Sequence, residues 1–423
     1  MNEDVCVVVP TVRNYECVRS YVENARAHGF DLDRLHVVLV TEDFCDTDAM
    51  AAMLEEEGVS GEVFDGTRRR TWFDERGLSD YADLIPEASH AQTSFGLLYV
   101  WDRDFEFGVF VDDDTRPHEA FDFFGRHLDN LAFEGEIETV RSDERWVNVL
   151  YQNADDHSMY PRGYPYSAMD ETVETATTYV DDVVVSQGLW TNVPDLDAVR
   201  ILMDGDLQGQ ARTRTTVEDY DGDFVAAAGQ YLTVCSMNLA FRREVIPAFY
   251  QLPMDDNEWD VGRFDDIWSG VFLKRACDLL GKQIYNGYPL CEHEKAPRST
   301  FDDLANEAPG LELNEHLWEI VDDVGTVTGD AVGHAADDAI VPDAAGTATS
   351  RVADGDRDAA GTITSYAGAF EAMGRTLAAG NFDYENGDFL NHVGESMLRW
   401  LDCLDAIDEG TASRGEAAAV ARD

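Results

Sequence analysis

The sequence predicts an α/β fold that begins with a Rossmann-like half-domain, and three observations lead to this prediction. Apolar runs at residues 5–9, 36–40 and 107–111 lack polar alternation, which is typical of strands covered on both faces. Helical patterns separate these runs, and alternating strands and helices favour parallel pairing. Each run ends in polar residues, and open α/β sheets bind ligands beyond the carboxyl ends of their strands.

The elements of this first half follow from apolar spacing and from helix stop signals. Gly29 and Gly58 each follow a helical pattern, and glycine is a common residue at a helix end because it adopts left-handed conformations easily. The predicted elements are a strand at 5–9, a helix at 15–28, a strand at 36–40, a helix at 46–57, a short strand at 62–64, a helix at 89–101 and a strand at 107–111.

The second half mixes strands and helices with loops that are rich in Trp, Tyr, Asn and Pro, which suits a substrate-binding region. Strands are predicted at 146–151, 179–185 and 283–285. A helix is predicted at 265–280, and Gly281 ends it.

The composition shifts again after the second half. Residues from about 325 are rich in Ala, Gly, Asp and Thr, and helical spacing returns later in the chain. We predict a catalytic domain at 1–320, a flexible acidic linker at 325–362 and a C-terminal helical segment at 363–410. The apolar stripe of that segment either docks on the catalytic domain or mediates self-association, so a homo- or hetero-oligomer is expected as one alternative.

The charge of the chain excludes several classes of partner. The 423 residues include 31 Lys and Arg against 85 Asp and Glu, a formal net charge of −54. Free nucleic acid and anionic membranes are excluded as partners, because their phosphates would be repelled. Such a chain needs screening, and molar salt shortens the Debye length to ~3 Å. We therefore predict a salt-adapted cytoplasm, with an acidic partner surface as the alternative.

The cysteines and the apolar runs also predict a cytoplasmic protein. The seven cysteines are odd in number and form no CxxC motif, so neither a disulfide framework nor a zinc knuckle is indicated. No apolar run approaches the ~18 residues of a membrane span, and the start of the chain lacks the basic and apolar pattern of a signal peptide.

An acidic cluster follows the strand at 107–111. Asp112 and Asp114 are two residues apart, so in an extended segment their side chains point the same way. Two such carboxylates can hold a divalent cation that bridges a nucleotide diphosphate. The alternative is a charged loop on an acid-rich protein. His293 is a plausible third ligand, or else an ordinary buried histidine.

Three further segments have both a catalytic and a structural interpretation. Asp265 and Asp266 supply either a base or a group that binds sugar hydroxyls, or they are helix-start acids favoured by the helix dipole. Arg162 lies in an aromatic loop and is suited to a diphosphate, while its protonated guanidinium is a poor nucleophile. Trp190, with Asn192 and Asp195 nearby, either stacks on a sugar ring or packs in the core.

Several common nucleotide and hydrolase motifs are absent from the sequence. It contains no GxxxxGK[ST], no GxGxxG after the first strand, no GxSxG and no HExxH. A P-loop kinase, a dinucleotide dehydrogenase, an α/β-hydrolase and a zincin are therefore not indicated.

Taken together, the motifs resemble those of the reversibly glycosylated polypeptides, the UDP-arabinopyranose mutases. They occur in the family's order between about residues 5 and 300. The motifs are VVPTVRN at 8–14, VDDD at 111–114, RGYPYS at 162–167, GLWTNVPD at 188–195, MNLAF at 237–241, GRFDDIW at 262–268 and the segment around His293.

The resemblance implies a glycosyltransferase-A-like mixed sheet flanked by helices, a divalent cation (Mn²⁺ or Mg²⁺) and a UDP-sugar of arabinose or galactose type. It implies interconversion of the pyranose and furanose forms of that sugar. The metal role would fall to Asp112, Asp114 and His293, and the reversibly glycosylated arginine would be Arg162, assisted by Asp265 or Asp266. The nucleotide-sugar-binding set is Pro10, Thr11, Arg13, Asn14, Glu42, Asp113, Trp190, Asn192, Asp195 and Asn238.

Two departures from the family pattern leave the sugar open. Plant-type members have a His before Gly-Leu-Trp, where this chain has Gln187, and residues 42–95 match poorly. The alternatives are a metal-dependent glycosyltransferase that acts on a glycan, lipid or protein acceptor, and a non-catalytic nucleotide-sugar-binding subunit.

Overall fold

A computed structural model describes residues 3–89, 91–150, 159–218, 220, 222–254, 257–325 and 363–420. Its first half contains the predicted parallel strands and the helices between them. These elements are β1 (Val5–Pro10), α1 (Cys17–His28), β2 (Leu35–Val40), α2 (Thr47–Glu56), β3 (Ser60–Phe64), α3 (Gly66–Arg76), α4 (Gln92–Asp102) and β4 (Phe107–Val111).

One helix of this half, α3, was not predicted. Its sequence is strongly polar, and only Gly66, Arg69, Trp72 and Phe73 are buried in it. An arginine on the buried face hides the apolar period by which amphipathic helices are recognised.

The second half adds shorter strands and longer helices. In chain order these are β5 (Thr115–Pro117), α5 (Phe123–Leu131), β6 (Gly135–Ser142), β7 (Trp146–Val147), β8 (Val173–Val180), β9 (Val183–Asn192), α6 (Ala198–Asp204), β10 (Phe224–Ala226), β11 (Tyr231–Leu232), β12 (Asn238–Arg242), α7 (Asp265–Leu280), β13 (Gln283–His293), α8 (Thr300–Asp322), α9 (Tyr366–Ala379) and α10 (Asp388–Val420).

Three strand predictions in the second half need correction. The strand predicted at 179–185 is the junction of β8 and β9, where Asp182 has a φ of +53° and turns the chain. The strand predicted at 146–151 begins as the short β7, and its last residue lies outside the described residues. The strand predicted at 283–285 continues to His293 as β13.

The central sheet is mixed and has the order β3-β2-β1-β4-β12-β9-β13-β10-β6-β8, with β5 paired to β13. Strands β1, β2, β3 and β4 are parallel. Strand β12 is antiparallel to both β4 and β9, and β9 is parallel to β13. The predicted α/β fold, a Rossmann-type mixed sheet flanked by helices, is confirmed.

These directions bring distant parts of the chain to one edge of the sheet. Strands β1, β2, β4, β9 and β13 end there, and β12 begins there. The polar clusters that follow β1, β2 and β4 therefore meet the loops after β9 and β13.

Helices α9 and α10 pack on the α/β domain. Trp400 is fully buried and stacks on Tyr250 at 4.7 Å between ring centroids, and its indole N–H donates to the Ile246 carbonyl at 3.2 Å. Phe370 of α9 contacts Phe272 of α7 edge-on. Of the two roles predicted for the apolar stripe, the structure shows docking. The predicted linker lies outside the described residues, apart from its first residue.

No helix among the described residues has the length and apolar character that a membrane crossing requires.

Candidate active site

A cavity of about 520 Å³ opens at the edge where these strands end, a size typical of small-molecule sites. Most of the predicted site residues line it. The lining comprises Pro10, Thr11, Val12, Arg13, Glu42, Phe44, Ala88, Ser89, Gln92, Thr93, Asp112, Asp113, Asp114, Arg162, Asp195, Cys235, Ser236, Met237, Gln251, Arg263, Asp265, Asp266, His293, Lys295, Ala296, Pro297 and Arg298.

The middle carboxylate of the acidic cluster is held by the loop that follows β1. Asp113 accepts hydrogen bonds from the Thr11 hydroxyl at 2.8 Å and from the Arg13 guanidinium at 2.7 Å. The Asn14 amide donates to the Asp113 carbonyl at 2.7 Å. These bonds join the ends of two neighbouring strands, so Asp113 positions the loop.

The histidine at the end of β13 lies beside the last carboxylate of the cluster. His293 Nδ1 donates to the Val193 carbonyl at 2.7 Å, and its Nε2 lies 3.7 Å from Asp114 Oδ1. Because a carbonyl only accepts, the proton of a neutral ring sits on Nδ1, and Nε2 keeps its lone pair. The ring is therefore oriented as a metal-binding histidine requires.

The carboxylates of this corner repel one another. Burial raises the pKa of Asp112 well above its usual range, and Asp114, Asp266, Asp113 and Asp195 raise it further. Burial also acts to raise the pKa of Asp114, but contacts with His293, Arg13 and the Ala296 N–H outweigh it and lower that pKa. A bound cation would relieve the repulsion around Asp112.

The donor types suit a divalent cation, although they do not form a closed site here. Carboxylate oxygens with one imidazole nitrogen fit Mn²⁺ well and Mg²⁺ less well. Within the described part of the chain, no three His, Cys, Asp or Glu side chains converge closely enough to hold a metal ion.

Arg162 is clamped between two carboxylates. Its Nε donates to Asp195 at 3.0 Å, and its two terminal nitrogens donate to the two oxygens of Asp266 at 3.1 and 3.2 Å. The Arg263 carbonyl accepts a further bond from it. The arginine is only 8% exposed.

The contact between Arg162 and Asp195 favours the charged form of both side chains. Burial acts to lower the pKa of Arg162, but Asp195 and Asp266 outweigh it and raise that pKa further. Burial acts to raise the pKa of Asp195, but Arg162, Lys295 and His293 outweigh it and hold that pKa below its usual range. The guanidinium is thus firmly protonated and already neutralised.

Glu42 follows β2 and is bound on several sides. Its carboxylate accepts a hydrogen bond from the Ala88 N–H at 2.9 Å and another from the Arg69 guanidinium at 3.1 Å. It also accepts one from the Gln92 side-chain amide. Exposed Phe44 lies at the same rim of the cavity. Residues from the stretch 42–95 thus form one wall of the site.

Four predicted binding residues do not line the cavity, namely Asn14, Trp190, Asn192 and Asn238. Of the two interpretations given for Trp190, packing in the core agrees with its position, since the side chain is 1% exposed and does not line the cavity. Asn192 donates to the His293 carbonyl at 3.1 Å. Asn238 accepts from His127 and donates to the Leu189 carbonyl, both inside the sheet. Asn14 holds the backbone of Asp113 through the bond given above.

Gln187, at the position of the plant-type His, is also structural. It is buried, accepts from the Cys235 N–H at 2.9 Å, and donates to Asn286 and to the Thr233 carbonyl. It does not line the cavity. This departure from the family pattern therefore acts on the sheet interior and not on the ligand space.

The sequence analysis missed the basic residues that border the site in the second half, namely Arg263, Lys295 and Arg298. One signal could have found the lysine. Lys295 is two residues beyond His293, so an extended segment places both side chains on one side. The pKa of Lys295 is lowered, chiefly by its burial.

Residues 1–356 match the sequence model of the family described as "Reversibly glycosylated polypeptide". The chain belongs to this family. The match covers the catalytic domain predicted above and extends past the motifs that first indicated the resemblance.

Two plant proteins are among the relatives of this chain. The chain is 29% identical over 323 residues to "Probable UDP-arabinopyranose mutase 1" of Pisum sativum, covering 75% of this chain and 77% of the relative. It is also 29% identical over 323 residues to "UDP-arabinopyranose mutase 1" of Arabidopsis thaliana, and this match covers 75% of this chain and 78% of the relative.

Among solved structures, the mannosyltransferase PcManGT of Pyrobaculum calidifontis, in complex with GDP-Man and Mn²⁺, has a TM-score of 0.33 at 12% identity and covers 97% of this chain and 86% of that chain. TarS of S. aureus has a TM-score of 0.30 at 12% identity. The match covers 75% of this chain and 40% of TarS. Overlaps of this size carry no conclusion about ligand or activity, so the fold assignment rests on the sheet order and strand directions.

Proposed function

We propose that this chain is a nucleotide-sugar mutase that interconverts the pyranose and furanose forms of a UDP-sugar with the help of a divalent cation. The observation that carries the proposal is one cavity that holds Asp112, Asp114, His293 and the clamped Arg162. Membership of the family, and similarity to a plant relative named UDP-arabinopyranose mutase 1, support it.

In this proposal Asp112, Asp114 and His293 hold Mn²⁺ or Mg²⁺. When bound, the cation supplies charge neutralisation for a diphosphate leaving group. The repulsion around Asp112 and the lone pair on His293 Nε2 favour cation binding. The residues Thr11, Arg13 and Glu42 form the nucleotide end of the cavity, with Asp113 as the group that positions the first two.

Arg162 and its two carboxylates act at the sugar. In one route a terminal nitrogen of Arg162 forms a bond to the anomeric carbon as the bond from that carbon to the diphosphate oxygen breaks. The proton that leaves this nitrogen passes to Asp266, which already accepts from it at 3.1 Å. In the other route the carboxylates of Asp195 and Asp266 stabilise an oxocarbenium ion through space.

Both routes end in the same way. The sugar ring opens as its ring oxygen takes up a proton, and it recloses through a different hydroxyl, which gives up a proton. The retained UDP then forms its bond to the anomeric carbon again. In the covalent route the bond from that carbon to Arg162 breaks in this step, and Asp266 returns the proton to the Arg162 nitrogen. The clamp keeps the guanidinium protonated, so in the covalent route its proton must pass to Asp266 as the bond to carbon forms.

The test is an incubation of the purified protein with UDP-arabinopyranose or UDP-galactopyranose, Mn²⁺ and molar KCl, without an acceptor. The proposal predicts that the corresponding UDP-furanose sugar appears. Turnover that requires an added glycan, lipid or protein acceptor would identify a glycosyltransferase instead. No turnover under either condition would indicate a binding subunit.

A further inference from the structure

The arginines that border the cavity are all paired with carboxylates. Each has an acidic oxygen within 3.0 Å, so its charge is already matched inside the protein. The pairs are Arg13 with Asp113 at 2.7 Å, Arg162 with Asp195 at 3.0 Å, Arg263 with Glu307 at 2.7 Å and Arg298 with Asp303 at 2.9 Å.

Lys295 is the exception among these cavity cations. It lines the cavity and is only 7% exposed. Among the residues that the structure describes, no carboxylate oxygen lies within 4.0 Å of its Nζ, and no hydrogen bond from Nζ is found. Asp195 attracts Lys295 from a greater distance, but that carboxylate is already bonded to Arg162. A buried cation that no carboxylate contacts is costly to a folded protein, so its presence points to a ligand that supplies negative charge.

The backbone directs Lys295 into the cavity. His293 and Lys295 are buried, while the intervening Glu294 is exposed and pairs with Arg116 at 2.9 Å. Alternation of buried and exposed side chains is typical of an extended segment. The Lys295 carbonyl accepts from the Gln210 amide at 2.9 Å, which fixes the segment after β13.

We propose that Lys295 binds the diphosphate of the sugar nucleotide and holds it while the sugar is detached. The inference rests on the proposed function, because a mutase must retain UDP until the sugar ring has reclosed. A cation fixed two residues from His293 complements a metal ion that is held by the acidic cluster. A lysine ammonium is well suited to this task, since it binds phosphate as a compact point charge.

The test compares UDP and uridine binding to Lys295→Met by calorimetry in molar KCl with Mn²⁺. We expect UDP affinity to fall about 10-fold to 100-fold, the usual loss for one charge-assisted hydrogen bond, while uridine affinity stays within about 2-fold. Lys295→Arg keeps the charge and should recover most of the UDP affinity. Lys282→Met, which removes a lysine paired with Asp182 at 3.4 Å, is the matched control and should bind UDP as the unaltered protein does.

Thermal unfolding separates ligand binding from a structural role. Without ligand, Lys295→Met should melt at the same temperature as the unaltered protein or higher, because an unpaired buried charge is removed. The inference is overturned by unchanged UDP affinity, by equal losses of UDP and uridine affinity, or by an unaltered protein that does not bind UDP. If UDP affinity falls as expected but no furanose product forms without an acceptor, the mutase proposal fails and the role of Lys295 stands.

Discussion

At the scale of single residues, the active-site charges depend on one another. Arg162, Asp195 and Asp266 are all buried, and each is satisfied chiefly by the others. Removing one member of such a group leaves the remaining charges unpaired in a poorly hydrated place. Substitutions here therefore act on stability as well as on chemistry, and both have to be measured.

Replacement of Arg162 by Ala should abolish acceptor-free isomerisation and leave the Kd for UDP within about 3-fold. The reason is that the guanidinium charge is already neutralised by Asp195 and Asp266, so it contributes little to diphosphate binding. The free energy of unfolding should fall by about 3–5 kcal/mol, as for other broken buried pairs. Product chromatography, calorimetry and urea unfolding measure the three quantities.

Arg162→Lys is the control for this variant, because it keeps the charge but cannot donate to both carboxylates in the fork geometry. It should recover stability more than turnover. Equal losses of UDP affinity and of turnover in Arg162→Ala would show instead that the arginine binds phosphate.

Replacement of Asp114 by Asn should remove the dependence of UDP affinity on Mn²⁺. Asp114 lies beside His293 Nε2, and its carboxylate is the charge that the proposed cation needs there. The measurement is a titration of UDP affinity against Mn²⁺. Asp129→Asn, on the exposed face of α5, should behave as the unaltered protein does. An unchanged Mn²⁺ dependence in Asp114→Asn would contradict the metal assignment.

At the scale of elements, helix α10 is fixed by one large aromatic contact. Replacement of Trp400 by Ala should lower the free energy of unfolding by about 3–5 kcal/mol, the usual cost of removing a buried aromatic side chain. The ring is fully buried and stacks on Tyr250 at an interplanar angle of 12°. Urea unfolding in molar KCl measures the change.

The neighbouring Arg399 provides a matched control on the same helix. It pairs with Asp83 at 2.6 Å, but both side chains are exposed, so Arg399→Ala should cost less than about 1 kcal/mol. If the two substitutions cost the same, the docking of α10 would not depend on the Trp400 contact.

At the scale of the whole molecule, the net charge of −54 dominates behaviour in solution. Carboxylates spread over one surface repel each other, and salt shortens the range of that repulsion from ~10 Å at 0.1 M to ~3 Å at 1 M. The prediction of a salt-adapted protein can therefore be tested by measuring how its thermal stability depends on salt concentration.

The melting temperature should rise when KCl is increased from about 0.1 M to about 1 M, since screening at that level shortens the Debye length roughly threefold. Differential scanning fluorimetry at fixed pH gives the shift. Sucrose is the control solute, because it is excluded from protein surfaces but carries no charge. A rise that sucrose reproduces in full would mean that exclusion, and not screening, stabilises the chain.

The sequence by itself determined the parallel strands, the acids that follow them, the family motifs and the charge, because these depend on local pattern and composition. Tertiary structure decided which motif residues reach the cavity. Trp190 and Asn238 belong to strands that are covered on both faces. No local sequence signal distinguishes a buried indole from one that binds a ligand. Other contacts of the site join residues that are far apart in the chain. Arg162 and Asp266 are separated by 104 positions, and Thr11 and Asp113 by 102. Such partners are chosen by strand order across the sheet, and only the folded chain brings them within hydrogen-bond distance.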